Sequence, residues 1–144
     1  MSAGFLIDTN VLSELMRENP APPVMSWFES QNANLMQTSA ITHAEILAGI
    51  ALLPAGKRRE AMALAASQIF EEDFVERCID FGGQAIPQYA MVRASRQLAG
   101  RPIDTADAQI AAIALSAHLT LVTRNTKEFE GIDGLQIINP WLQH

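Results

Sequence analysis

Short apolar runs that stop abruptly on polar residues, each followed by apolar residues at helical spacing, limit this chain to few folds. Phe5-Leu6-Ile7 halts at Asp8-Thr9-Asn10, and Val11, Leu12, Leu15 and Met16 then recur every three or four positions. A strand feeding a helix is the economical reading. Pro22 and Pro23 suit the start of a helix carrying Val24, Trp27 and Phe28, because proline in the first turn gives up no useful donor. Leu35-Met36-Gln37-Thr38 reads as the next strand, and Thr42-His43-Ala44-Glu45 matches a capping box that opens a helix bearing Ile46, Leu47, Ile50 and Leu53. The alanine-rich stretch 57–70 favours a helix that pairs with its predecessor as a hairpin across Pro54-Ala55-Gly56. The remaining pattern predicts a short strand around Cys78, a helix over 85–98, a helix over 104–117, a strand over 119–123, a turn near Phe129 and a last strand at 136–138. Strands alternating with helices imply an α/β fold, a central parallel β-sheet with helices on both faces and a helical hairpin.

The chain of 144 residues is expected to be a single domain, and its 49% hydrophobic content suffices for an ordinary core. Lys plus Arg total 10 against 16 Asp plus Glu, a net charge of -6. The global field therefore repels polyanions, so a nucleic-acid substrate would need a local basic rim or bound cations. Cys78 stands alone, which excludes an intramolecular disulfide and suits a reducing compartment. The start of the chain has no basic flank before an apolar run, and the longest apolar stretch is broken by Ser116, His118 and Thr120, well short of the ~20 residues that span a bilayer. A soluble cytoplasmic protein with no membrane partner is the expectation.

Ligands of parallel sheets meet the carboxyl ends of the strands. Asp8 directly follows the first strand, Arg124-Asn125 follow a later one, and the helix starts bearing Glu45 and Asp107 should point to the same edge. Each acid also has an ordinary role. Asp8 can cap the helix after it, Glu45 can reach back to the Thr42 amide, and Asp107 can sit in the positive field of a helix start. Their joint occurrence at one edge favours cation binding, since hard divalent ions prefer carboxylate oxygens. His43, His118 and His144 show no metal-ligand spacing.

Four blocks carry a resemblance: Leu6-Ile7-Asp8-Thr9-Asn10-Val11-Leu12-Ser13, Ser39-Ala40-Ile41-Thr42-His43-Ala44-Glu45, the stretch Arg101 to Ala112 around Asp107, and Leu121-Val122-Thr123-Arg124-Asn125-Thr126-Lys127-Glu128-Phe129. In this order they resemble the successive motifs of PIN-domain nucleases, and with Asn139-Pro140-Trp141 they are most similar to the VapC and FitB branch, the toxins of toxin-antitoxin pairs. The resemblance implies a PIN-like domain over 1–144 that is a magnesium- or manganese-dependent endoribonuclease. Its catalytic and metal-binding acids would be Asp8, Glu45 and Asp107, with a fourth polar ligand after the late strand. Asn125 stands where many relatives carry an acid, Glu128 is about a helical turn further on, and Asp104 precedes Asp107 by a turn.

Arg124 and Asn125 are candidate substrate contacts, although Arg124 reads equally well as a solvated loop charge. Arg93, Arg96 and Arg101 are candidates for an RNA rim, whereas Lys57, Arg58 and Arg59 read as a solvated helix start. The implied partners are an RNA substrate, a second copy of the chain in a homodimer, and a small antitoxin through which DNA is contacted only indirectly. An alternative keeps the fold but makes the chain a weakly active or inactive co-repressor that tightens antitoxin binding to DNA. A phospho-accepting receiver domain fits less well, for the acid pair expected near the first strand and the lysine expected after the late strand are absent.

Overall fold

The computed structural model describes residues 4–142. Five strands form one parallel sheet in the order β3-β2-β1-β4-β5: β1 (Phe5–Ile7), β2 (Met36–Ser39), β3 (Cys78–Ile79), β4 (Thr120–Val122) and β5 (Ile137–Ile138). Seven α-helices connect them among the described residues: α1 (Thr9–Leu15), α2 (Pro22–Glu29), α3 (Ala40–Ala51), α4 (Lys57–Ser67), α5 (Ile86–Leu98), α6 (Thr105–Ser116) and α7 (Thr126–Phe129). The expected architecture is present. No helix among the described residues is long and apolar enough to cross a membrane.

Alternation along the central strands explains the three layers. Leu6 and Leu121 face a cluster containing Val92, Ile103, Ile110, Ile113 and Phe129, while Ile7 and Val122 face one containing Val11, Leu12, Val24, Ile46, Ile50 and Ile69. Side chains on a strand point alternately to the two faces, so a sheet covered twice needs apolar residues at consecutive positions. All four of these strand residues are fully buried, each contributing roughly 1.5–3 kcal/mol.

Two local readings are corrected. The α3 cap is Ser39, whose Oγ accepts the Thr42 amide at 3.0 Å, so Thr42 lies inside the helix and Glu45 is too far along it for a capping box. A β2 strand running directly into α3 brings the serine to the cap three residues earlier than the Thr-x-x-Glu pattern suggests. The helix expected over 57–70 instead widens after Ser67 into a π-helical turn, Gln68–Asp73, marked by the Phe74 amide bonded to the Ile69 carbonyl at 2.7 Å. The extra residue lets Ile69 and Phe74 both enter the core.

Gly4 admits β1 to its place beside β2. A Cβ built there would lie 2.5 Å from the Leu35 carbonyl oxygen, a backbone atom that cannot swing aside. Gly4→Ala is therefore expected to cost about 1–3 kcal/mol in urea unfolding. A midpoint equal to the parent's would show that β1 shifts freely.

Candidate functional site

Asp8 is placed by sheet register. Ile7 pairs with Val122, and the Asp8 amide continues the ladder to the Val122 carbonyl at 2.9 Å, so the next residue of each strand, Asp8 and Thr123, stand side by side. The Asp8 carboxylate is 3% exposed and caps α1. Its Oδ1 accepts the Thr9 amide at 2.8 Å, while Oδ2 accepts the Thr123 hydroxyl at 2.8 Å and the Asn10 carboxamide at 3.4 Å. Capping and site membership therefore coexist, because the two oxygens of a carboxylate offer several lone-pair positions.

Thr123 is the residue that sequence reasoning missed. It is fully buried; its hydroxyl donates to Asp8 and accepts from the Asn125 amide at 3.1 Å and from Asn10 Nδ2 at 3.3 Å. One donor and two lone pairs are thus all used. Asn10 also accepts the Arg124 amide at 3.0 Å, tying the loop after β4 to the start of α1. A lone threonine at the end of a strand carries no local sign of this role.

Glu45, on α3, comes to the same edge. Its Oε1 accepts the Thr9 hydroxyl at 2.7 Å, and Thr9 Oγ1 lies 3.0 Å from the buried Thr42 hydroxyl. A hydroxyl has one proton, so with Thr9 donating to Glu45 the Thr42 hydroxyl completes the chain. Asp107 lies in the first turn of α6, which Asp104 caps through the Ala106 amide at 3.1 Å. The fold brings Asp8, Glu45 and Asp107 into one electrostatic neighbourhood, together with Asp104 and Glu128.

Burial and then the charges of Asp8, Asp104, Glu128 and Glu45 push the Asp107 carboxyl up to about 6. Burial also raises Asp8, outweighing the hydrogen bonds from Thr123 and Thr9, and the charge of Glu45 adds to the rise. Among the described residues the one ion pair is Arg17 with Glu14, so no basic side chain is paired with these acids. A cluster of hard oxygen donors with unbalanced negative charge fits a hard divalent cation. The side chains do not close on one point: no three Asp, Glu, His or Cys groups among the described residues stand at common metal-ligand spacing. Glu45 is held by the Thr9 hydroxyl, and gathering the acids on one ion would require rotation about side-chain torsions.

The basic candidates divide. Arg96 is only 6% exposed; its Nε donates to the Arg101 carbonyl at 2.8 Å and an Nη to the Glu128 carbonyl at 2.7 Å. It is a brace between α5 and α7 and cannot form an RNA rim. Arg101 is exposed and donates to the Lys127 carbonyl at 3.2 Å, and Arg93 donates to the Thr105 hydroxyl at 3.0 Å and to Tyr89 at 3.2 Å. Lys57, Arg58 and Arg59 are exposed at the start of α4. Arg124 and Asn125 are exposed at the carboxyl edge, with the Arg124 guanidinium over the Trp141 ring. His43 stacks on Phe70 and His118 is an exposed residue after α6; His144 lies outside the described residues.

A carboxyl raised in the folded state binds a proton that the unfolded chain has already lost. Asp107 therefore subtracts stability as pH rises from about 4, its unfolded value, through about 6. In chelator-treated protein at pH 7, Asp107→Asn is expected to melt roughly 2–4 °C above the parent. Magnesium should raise the parent's melting temperature at pH 7, with a smaller gain below pH 6, where protons compete for the same oxygens. Scanning calorimetry that found magnesium without effect on the parent at pH 7 would remove the cation from this edge.

The family model for the PIN domain matches residues 5–135. VapC ribonuclease Y4jK of Sinorhizobium fredii is 38% identical over 136 residues, covering 94% of this chain and 96% of the relative. Toxin FitB of Neisseria gonorrhoeae is 36% identical over 136 residues, covering 94% and 97%. A solved structure of FitAB bound to an IR36 DNA fragment contains a chain with a TM-score of 0.88 and 35% identity, covering 97% of this chain and 98% of that one.

Proposed function

The chain belongs to the PIN-domain family, in its VapC- and FitB-like branch, and on that premise we propose that it is a metal-dependent endoribonuclease acting as the toxin of a toxin-antitoxin pair. Its whole length, 1–144, would be one PIN domain. The observation that carries the reading is the gathering of Asp8, at the end of β1, with acids of α3, α6 and α7 at one sheet edge, where burial and their mutual repulsion lift Asp107 to about 6 and no basic side chain among the described residues pairs with them.

Asp8, Glu45 and Asp107 would hold the ion, with Glu128, Asp104 or Asn125 supplying a fourth donor. Magnesium or manganese held by these residues would supply Lewis-acid activation of water and charge neutralisation at the phosphodiester. The chain's own residues do the positioning. Thr123 and the Thr9 amide lock both oxygens of Asp8, and the Thr42–Thr9 hydroxyl chain holds Glu45. Asp8 is thereby preorganised, whereas Glu45 and Asp107 would turn about their side-chain torsions to reach the ion. Arg124 and the Asn125 carboxamide, exposed on the loop after β4, would contact a phosphate at this edge.

Antitoxin binding, a homodimer and indirect DNA contact follow from the same reading, supported by the FitAB complex on DNA to which this fold is similar. That likeness also favours a second reading, in which the chain is chiefly a co-repressor with little nuclease activity. Expressing the chain alone in bacteria and mapping new RNA ends after growth stops separates the two. Discrete cleavage sites that vanish with Asp8→Asn support the nuclease. Purified protein that cuts no RNA in magnesium or manganese, yet tightens antitoxin binding to DNA, selects the co-repressor.

A further inference from the structure

We infer that Trp141 is a positioning residue: it holds the Arg124 guanidinium against its ring with the N–H edge open, as a subsite for an RNA phosphate beside the one that is cut. The inference rests on the ribonuclease reading and adds how the strand is gripped.

Of the arginines around the acid edge, Arg58 lines a groove with Thr9 and Glu45, and three others are already engaged. Arg93 donates to Thr105 and Tyr89, Arg96 to the carbonyls of Arg101 and Glu128, and Arg101 to the carbonyl of Lys127. Arg124 differs. Its guanidinium carbon lies 4.6 Å from the centre of the Trp141 ring, and among the described residues its side-chain N–H donors meet no acceptor. A guanidinium held over a ring by its charge keeps its N–H donors available, and two of them can take two oxygens of one phosphate.

Both partners are anchored. Trp141 packs against the cluster containing Ile7 and Val122, and its amide donates to Asn139 Oδ1 at 3.0 Å. It follows β5, which pairs with β4 through Val122 and Ile138, so the two loops leave adjacent strands at one edge. The Arg124 amide is held by Asn10, whose carboxamide also reaches Asp8. The charges that act on Asp8 and Asp107 come from other acids, so Arg124 is not drawn into that cluster. The carboxylate it does influence is Glu14, already bonded to Arg17 and to the Ala21 amide. The fork thus stands outside the acid cluster, on the loop that leaves β4 at the same edge as Asp8. In a chain of net charge -6, it offers the local attraction that an RNA strand requires.

The test uses the full chain and a short mixed-sequence single-stranded RNA. Arg124→Gln should raise KM about 5–10-fold with kcat little changed, since a flanking contact binds ground and transition states alike. Trp141→Leu should produce the same rise, Trp141→Phe should stay near the parent, and the double substitution should be no worse than Arg124→Gln alone. Binding of fluorescein-labelled RNA, measured in an Asp8→Asn background, should lose about 0.7 from the slope of log K against log salt in either variant. Should Trp141→Leu fail to fold, the salt slope of Arg124→Gln and the KM of Trp141→Phe still decide. An unchanged slope in Arg124→Gln, or a Trp141→Leu defect that adds to it, overturns the subsite while cleavage by the parent leaves the nuclease standing. A parent that cuts no RNA overturns both.

Discussion

Asp8→Asn is expected to lower RNA cleavage at saturating magnesium by on the order of 10³-fold or more while the protein melts no lower than the parent in metal-free buffer. The activity loss follows from removing a charge from the oxygen set that would grip the ion, where a carboxamide is a poor replacement. The stability result follows from burial. Asp8 is 3% exposed and its carboxyl is raised by burial, so its ionised form weakens the folded state as pH rises above the ordinary carboxylate range. Asparagine is close in shape and keeps an oxygen for the Thr9 amide; it loses the Thr123 hydroxyl bond, whose lone pairs are already taken by Asn125 and Asn10, and removal of the buried charge offsets that loss. Opposite signs in activity and stability distinguish a functional acid from a helix cap, whose removal would cost stability. Cleavage within tenfold of the parent, by protein that is folded, would show that Asp8 only caps α1.

Arg96→Met is expected to cost about 2–4 kcal/mol in stability, with the salt slope of RNA binding unchanged. The substitution keeps much of the side chain's volume but withdraws the donors that satisfy the carbonyls of Arg101 and Glu128, leaving those carbonyls to find other partners. Glu128 rides on this brace, so cleavage should fall along with stability. Arg96→Lys should recover only part of the loss, because an ammonium cannot reproduce the planar fork. Urea unfolding gives the first quantity and a salt titration the second. A stable variant with a shallower salt slope would return Arg96 to the RNA rim.

The alternation of strands and helices was legible because it is a local property. Phe5-Leu6-Ile7 before Asp8, and the caps and apolar spacing around α6, can be read from neighbours a few positions apart. Asp8, which directly follows β1, and Asp107, in the first turn of α6, stand at points that parallel topology sends to one edge, whereas Glu45 lies in the body of α3. Where two local signals competed, the nearest pattern misled. Thr42-x-x-Glu45 satisfied the capping rule, yet Ser39 takes the cap because β2 ends there, which frees Glu45 for the Thr9 hydroxyl. Arg96 looked like one more exposed cation because charged residues usually are. Its burial depends on α7 and the loop after α5 each offering it a carbonyl.

The amino-acid order by itself therefore determined the α/β class, the strand ends and the acids that those ends carry. Tertiary structure alone decided which side chains hold those acids. Thr123 meets Asp8, 115 positions away, because Ile7 pairs with Val122, and Trp141 backs Arg124 because β5 lies beside β4. Periodicity and capping act within a few residues, whereas a partner is chosen by strand register, which packing on both faces of the sheet sets for the whole chain at once.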